Sequence, residues 1–133
     1  MKYAIVCVDD EPLIVDILYF QLKKLFKSET TIIETFTDPL EVEEGIEKLV
    51  QYGVDVIFMM VDYQMPKLNG AEVIRTIKSK YPNIKFYMLS GQANYEVVDQ
   101  LIEEKLLEQF ILKPWSQKDL ENALRDFLGR DAD

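Results

Sequence analysis

The chain contains no histidine among its 133 residues. Within this sequence, that excludes a Ser-His-Asp or Cys-His site, an imidazole metal ligand and a phosphohistidine donor. Cysteine is scarce too. The single Cys7 can form no intrachain disulfide, and it lies inside an apolar strand pattern, where a thiol is an inert core group. No apolar run approaches the roughly 20 residues of a membrane span, and the N-terminus lacks a signal-peptide layout, so a cytoplasmic protein is expected. Cations are in deficit: 15 Lys and Arg face 24 Asp and Glu, a net charge of −9. A phosphate backbone is held mainly by Lys and Arg, so direct nucleic-acid binding is not expected. Acidic balance suits a metal cation or a basic protein partner, although a solvated surface accounts for most of it. What is present, 48% hydrophobic and 29% charged residues, is ordinary for one domain with a single well-buried core.

The stretch Val54 to Gly70, VDVIFMMVDYQMPKLNG, organises the rest. Between Val54 and Val61 only Asp55 interrupts an apolar run, which predicts a strand buried on both faces of a parallel sheet. The run stops at Asp62. Pro66 and Asn69-Gly70 then make a loop before a helical pattern begins. Ligands of open α/β sheets bind beyond the carboxyl ends of strands, so Asp62 stands where a reactive group belongs. A helix N-cap or a solvated loop carboxylate is the competing reading.

Other segments repeat this layout. Tyr3 to Val8 predicts a first strand ending in Asp9-Asp10-Glu11, with Pro12 at a helix start. Leu13, Ile14, Ile17, Leu18, Leu22, Leu25 and Phe26 recur at helical spacing. Adjacent carboxylates repel, and a cation would relieve Asp9 and Asp10; alternatively one caps the helix and the other faces water. Thr30 to Phe36 predicts a second strand, polar enough for an edge. Asp38-Pro39 with Glu41 predicts a capping box on a helix whose inward face is Val42, Ile46, Leu49 and Val50. A third helix carries Val73, Ile74 and Ile77 and ends before Pro82. Lys85 to Leu89 predicts a fourth strand ending in Ser90-Gly91, followed by a weakly apolar helix from Tyr95 to Lys105. Gln109 to Leu112 predicts the fifth strand, ending at Lys113-Pro114-Trp115. Ser116 caps a last helix with the face Leu120, Ala123, Leu124, Phe127 and Leu128. Five strands alternating with five helices predict a doubly wound parallel sheet in three α/β/α layers.

On that fold the strand ends gather Asp9, Asp10, Asp62, Ser90 and Lys113 on one sheet edge. Carboxylates without histidine or thiolate select a hard cation such as Mg²⁺ or Mn²⁺. A lysine and a hydroxyl opposite suit the remaining oxygens of a phosphoryl group, and a carboxylate such as Asp62 is a competent phosphoryl acceptor.

The chain resembles the CheY-like receiver domains of two-component response regulators. The resemblance is carried by Asp9-Asp10-Glu11, by Asp62 with Met65-Pro66 and Asn69-Gly70, by Ser90-Gly91 and by Lys113-Pro114. It covers essentially the whole chain, with residues 1–129 as the domain and 130–133 as a polar tail. It implies a flavodoxin-like fold and phosphoryl transfer to Asp62 in a phosphorelay. It further implies a Mg²⁺ site of Asp9, Asp10, Asp62 and the Gln64 main-chain carbonyl, with Lys113 and Ser90 on the phosphoryl oxygens. Ser90 and Phe110 would be the switch pair, and Gln64 and Gln92, each two residues beyond a site residue, would tune dephosphorylation. Implied partners are a sensor histidine kinase or phosphotransfer protein and a downstream output domain or protein. The surface of the fourth helix, fifth strand and fifth helix would carry the signal, and a dimer through it is open. Departures from the family pattern are small: serine at 90, phenylalanine at 110, Trp115 after Lys-Pro, and a slightly long loop before the central strand.

Two competing readings, one an enzyme class and one a binding module, fail on residues. Dehalogenase-like phosphatases place a second acid where Gln64 stands, and a nucleotide or flavin module needs a Gly-rich or Ser/Thr-rich loop where Asp9-Asp10-Glu11 stand. The remaining alternative is a receiver-like interaction module working without phosphorylation. No output domain follows in the sequence, so a stand-alone receiver or a segment of a longer chain is expected. Its catalysis would be confined to its own phosphorylation and dephosphorylation, not the turnover of an enzyme.

Overall fold

The computed structural model describes residues 2–91 and 95–132. Its strands are β1 (Lys2–Val8), β2 (Thr31–Phe36), β3 (Val54–Asp62), β4 (Lys85–Ser90) and β5 (Gln109–Leu112). Its helices are α1 (Pro12–Leu25), α2 (Val42–Gln51), α3 (Gly70–Lys80), α4 (Tyr95–Glu103), α5 (Gln117–Ala123) and α6 (Arg125–Ala132). All strand pairs are parallel, in the order β2-β1-β3-β4-β5. The polar β2 is the edge that its composition predicts. The chain leaves β1 toward β2 and then returns to β1's other side as β3, so the order reverses beside β1. That reversal opens a crevice at the strands' carboxyl ends.

Each face of the sheet buries its own core. One joins Ala4, Val6, Val8, Met59, Val61, Phe86 and Met88 to Val42 and Ile46 of α2, Val73, Ile74 and Ile77 of α3, and Val98 and Leu101 of α4. The other joins Ile5, Cys7, Phe58, Met60, Leu89 and Ile111 to Leu18, Leu22 and Phe26 of the α1 segment and to Leu120, Leu124 and Phe127. Residues of the two cores alternate along β1 because successive strand side chains point to opposite faces. Each fully buried Leu, Ile or Phe contributes about 1.5–3 kcal/mol by leaving water, so the two cores dominate the fold's stability. Cys7 is fully buried, and that burial pushes its thiol up to about 12.

Several local expectations are corrected. The last helix is two, giving six helices: the ladder breaks at the fully buried Leu124, and Phe127 on α6 then seats its ring 4.9 Å from that of Phe58. Asp38 and Glu41 form no capping box. Asp38 Oδ1 accepts from Leu40 N at 3.0 Å, Pro39–Glu41 is a single 3-10 turn, and α2 begins only at Val42. Val50 of α2, and Leu13 and Ile17 of α1, are exposed rather than inward. Helix α4 ends at Glu103, with Lys105 in the left-handed region at φ 61°. Gly53 takes φ 77° in the tight turn into β3, a conformation that glycine adopts without a Cβ penalty.

Candidate functional site

Strands β1 and β3 deliver their last carboxylates to the crevice in phase, and a bulge makes that possible. Ala4 pairs with Val56, but the next residue, Ile5, pairs with Phe58, so Ile57 is an extra residue in β3. Before the bulge Val54 and Val56 face the α2–α4 core; after it Phe58 and Met60 face the opposite core, with Ile5 and Cys7. The side-chain period is two, so this one-residue offset places Asp62 on the parity of Phe58 and Met60, the face that Asp9 shares with Ile5 and Cys7. Lys113, two residues after Ile111, arrives on that face from β5.

The three meet directly. Lys113 Nζ donates to Asp9 Oδ2 at 2.8 Å and lies 3.1 Å from Asp62 Oδ1. Asp9 is fully buried and Asp62 only 4% exposed. Asp9 Oδ1 also accepts from Glu11 N at 3.0 Å, closing a turn two residues long before α1. Carboxylate oxygens of Asp9, Asp10 and Asp62 all lie within 4.8 Å of one another. Burial and then the negative Asp9 raise the Asp62 carboxyl to about 6, against the opposing pull of Lys113. Burial draws the Lys113 ammonium down, but hydrogen bonding and attraction to Asp9, followed by Asp62, outweigh it and leave the group raised.

The capping alternatives do not describe these acids. Glu11 is the N-cap of α1 and makes no side-chain cap, while α3 is capped by Asn69, whose side chain accepts from Glu72 N at 2.9 Å. Glu72 Oε1 in turn accepts from Asn69 N at 3.0 Å, a full capping box. Gly70 then brings α3 against the end of β3: a Cβ there would lie 2.5 Å from the Asp62 carbonyl oxygen. Gly70 N donates to Tyr63 O at 2.8 Å. Between these anchors Leu68 N bonds Pro66 O at 2.9 Å around Lys67, whose φ of 75° makes a γ-turn uncommon for a residue with a side chain. Lys67 is further tied to Asp38 at 3.4 Å.

Ser90 ends β4 and is buried at 1% exposure; its carbonyl accepts from Lys113 N at 2.9 Å. Phe110, register partner of Met88, is half-buried and packs on the core beneath α4. Gln64 is exposed on the loop after Asp62, and Gln92 lies outside the described residues. The Lys113–Pro114 peptide bond is cis. Trp115 packs on the α1 side of the sheet, as a residue at a helix start should, and donates from Nε1 to Gln21 Oε1 at 2.6 Å. Two contributors escaped the sequence: the Ile57 bulge, because an unbroken apolar run carries no phase, and Gln21, a polar residue midway along α1 with no motif around it.

A hard-cation site fits this donor set of clustered carboxylates with neither imidazole nor thiolate among them. A parallel sheet with an acidic triad and a bridging lysine at its switch point defines a class of α/β domain. Comparison with known proteins gives the class its family. The family model for the response regulator receiver domain matches residues 5–125, and the chain belongs to that family. The chain is 30% identical over 97 residues to a chemotaxis protein CheY homolog of Campylobacter jejuni, covering 69% of this chain and 73% of that one. Among solved structures, a response regulator receiver domain protein from Clostridium thermocellum superposes with a TM-score of 0.75 at 22% identity, covering 98% and 97% of the two chains. A CheX-CheY-BeF3-Mg complex from Borrelia burgdorferi gives 0.73 at 22% identity, covering 93% of this chain and 87% of that one. No helix among the described residues is long and apolar enough to cross a membrane.

Proposed function

We propose that this receiver domain accepts a phosphoryl group on Asp62 from a phosphohistidine of a sensor kinase or phosphotransfer protein, or from a small acyl phosphate. The observation that carries the reading is the single ammonium of Lys113 spanning Asp9 and Asp62, at 2.8 and 3.1 Å, inside a cluster of three carboxylates. An Asp62 carboxylate oxygen forms the new bond to phosphorus as the donor's nitrogen or carboxylate oxygen departs with the bonding pair. Lys113, already held at Asp62, pairs with phosphoryl oxygens as they arrive, and the Ser90 hydroxyl donates to one of them. Asp9, Asp10, Asp62 and the Gln64 carbonyl would hold Mg²⁺ or Mn²⁺, which supplies the charge neutralisation that three carboxylates and a phosphoryl group require. The beryllofluoride and magnesium in the Borrelia complex's name agree with this chemistry. Helix α1 leaves Leu13, Ile17 and Phe20 exposed at helical spacing just beyond Asp9 and Asp10, which suits an apolar face on a protein donor.

Phosphorylation gives Ser90 new acceptors, and the space it leaves lets Phe110 turn. The α4-β5-α5 surface thereby shifts between two packings toward an output partner. Gln64 and Gln92 orient or block the attacking water, since amides cannot act as bases. The domain's catalysis is confined to its own phosphorylation and dephosphorylation. An interaction module indifferent to phosphate is the less economical reading, because it leaves the buried Asp9 and Asp62 and their shared lysine without a task. Intact-protein mass after acetyl phosphate and Mg²⁺ is expected to show one added phosphoryl group, lost with a chelator and in Asp62→Asn. Equal labelling of that variant moves the acceptor elsewhere.

A further inference from the structure

Lys113 is the group that must be placed most accurately, yet it lies just past the end of β5, where the ladder has stopped. Its main-chain N–H reaches Ser90 O at 2.9 Å, and beyond it Pro114 to Ser116 have no strand partner. Besides the packing of Trp115 on the core and the Ser116–Asp119 capping box, one residue of α1 anchors the far side of this segment by hydrogen bonds. Gln21 Oε1 accepts from Trp115 Nε1 at 2.6 Å, and Gln21 O accepts from Gln117 Nε2 at 3.1 Å. Gln21, Trp115 and Gln117 are all half-buried, so neither bond competes with bulk water on equal terms.

We infer that Gln21 is a positioning residue for Lys113: its side-chain amide oxygen, through Trp115, holds the lysine at the distance from Asp62 that phosphoryl transfer requires. The inference rests on the phosphoacceptor reading and adds a regulatory route to it. Helix α1 begins immediately after Asp9 and Asp10 and exposes Phe20 beside Gln21, so pressure on α1 is transmitted to the opposite side of the site through this bond. Transfer depends steeply on placement, and displacing a catalytic group by a fraction of an ångström lowers a rate without removing the group.

The test is a set of single substitutions assayed with acetyl phosphate at saturating Mg²⁺. Gln21→Leu keeps the volume and removes the acceptor; it is expected to slow labelling about five-fold, the effect of one lost hydrogen bond. Gln21→Glu keeps an oxygen acceptor and is expected to restore most of the rate. Trp115 emission should shift in the first variant and not the second, which reports the bond independently of activity. The decisive arm is Lys113→Ala: on its residual rate, Gln21→Leu should have no further effect, although it still lowers the melting temperature. A purely structural role predicts the same fractional slowing with or without Lys113, and that result overturns the inference, as does a wild-type rate in Gln21→Leu. Failure of the wild-type protein to label at all overturns the phosphoacceptor reading instead, and this inference with it.

Discussion

Asp62 carries an energetic cost in the absence of a cation. Its folded-state carboxyl sits near 6, above the ordinary 3.8, because it is buried beside Asp9. Between those values the folded chain binds more protons than the unfolded one, so this group's contribution to stability falls as pH rises from about 4 to 6 and stays low above that. A rise of that size corresponds to at most about 3 kcal/mol. Asp62→Asn removes the charge and leaves the Lys113–Asp9 bond in place. In chelator, the variant is therefore expected to be about 1–3 kcal/mol more stable than wild type at pH 7 in urea unfolding, with the gap closing toward pH 4. A variant that is less stable at pH 7 contradicts the burial account. Magnesium added to wild type should recover stability by mass action, as expected of an ion held by the folded cluster alone.

At the scale of elements, the site depends on how closely α3 approaches β3. With a Cβ only 2.5 Å from the Asp62 carbonyl, Gly70→Ala must push the helix start or the Asp62–Tyr63 peptide aside. Overpacking of this kind costs about 1–3 kcal/mol, and here it acts on Asp62's own backbone. The expected result is a lower melting temperature together with weaker Mg²⁺ binding by titration calorimetry; unchanged metal binding would show that the loop absorbs the methyl.

The elements also show what a sequence can and cannot convey. The five strands, the edge position of β2, the Asn69-Gly70 and Ser116 boundaries and the approach of Asp9, Asp10, Asp62 and Lys113 to one another were all legible, because periodicity and caps are local signals. The Ile57 bulge was not, since Val56 to Val61 are all apolar and reveal no phase, yet the bulge decides which face Asp62 takes. The break at Leu124 sits inside an uninterrupted helical pattern without Gly or Pro. Leu13, Ile17 and Val50 fit a helical repeat but fall at the margins of the buried stripe, and a repeat alone does not fix that stripe's width. Gln21 matters only because folding brings Trp115 to it.

At the scale of the molecule, the site borders both cores, and the two proposed routes for a signal leave it on opposite faces of the sheet. Ser90 and Phe110 lead toward α4, which buries only Val98 and Leu101 and is held across its end by the Arg75–Glu104 ion pair at 2.7 Å. Trp115 leads toward α1. The lone tryptophan, two residues from Lys113, should therefore change its emission when Mg²⁺ and beryllium fluoride are added together. The change should be weakened in Ser90→Ala and absent in Asp62→Asn; unaltered emission with the mimic demonstrably bound contradicts the coupling. All of this depends on Asp62 being the acceptor. Borohydride reduces an acyl phosphate to an alcohol, so reduction of acetyl-phosphate-treated protein followed by peptide mass mapping locates the acceptor residue directly. The alcohol is expected at residue 62 and at no other carboxylate. Reduction at Asp9 or Asp10, or at none of the three in protein that carries the added mass, would contradict it.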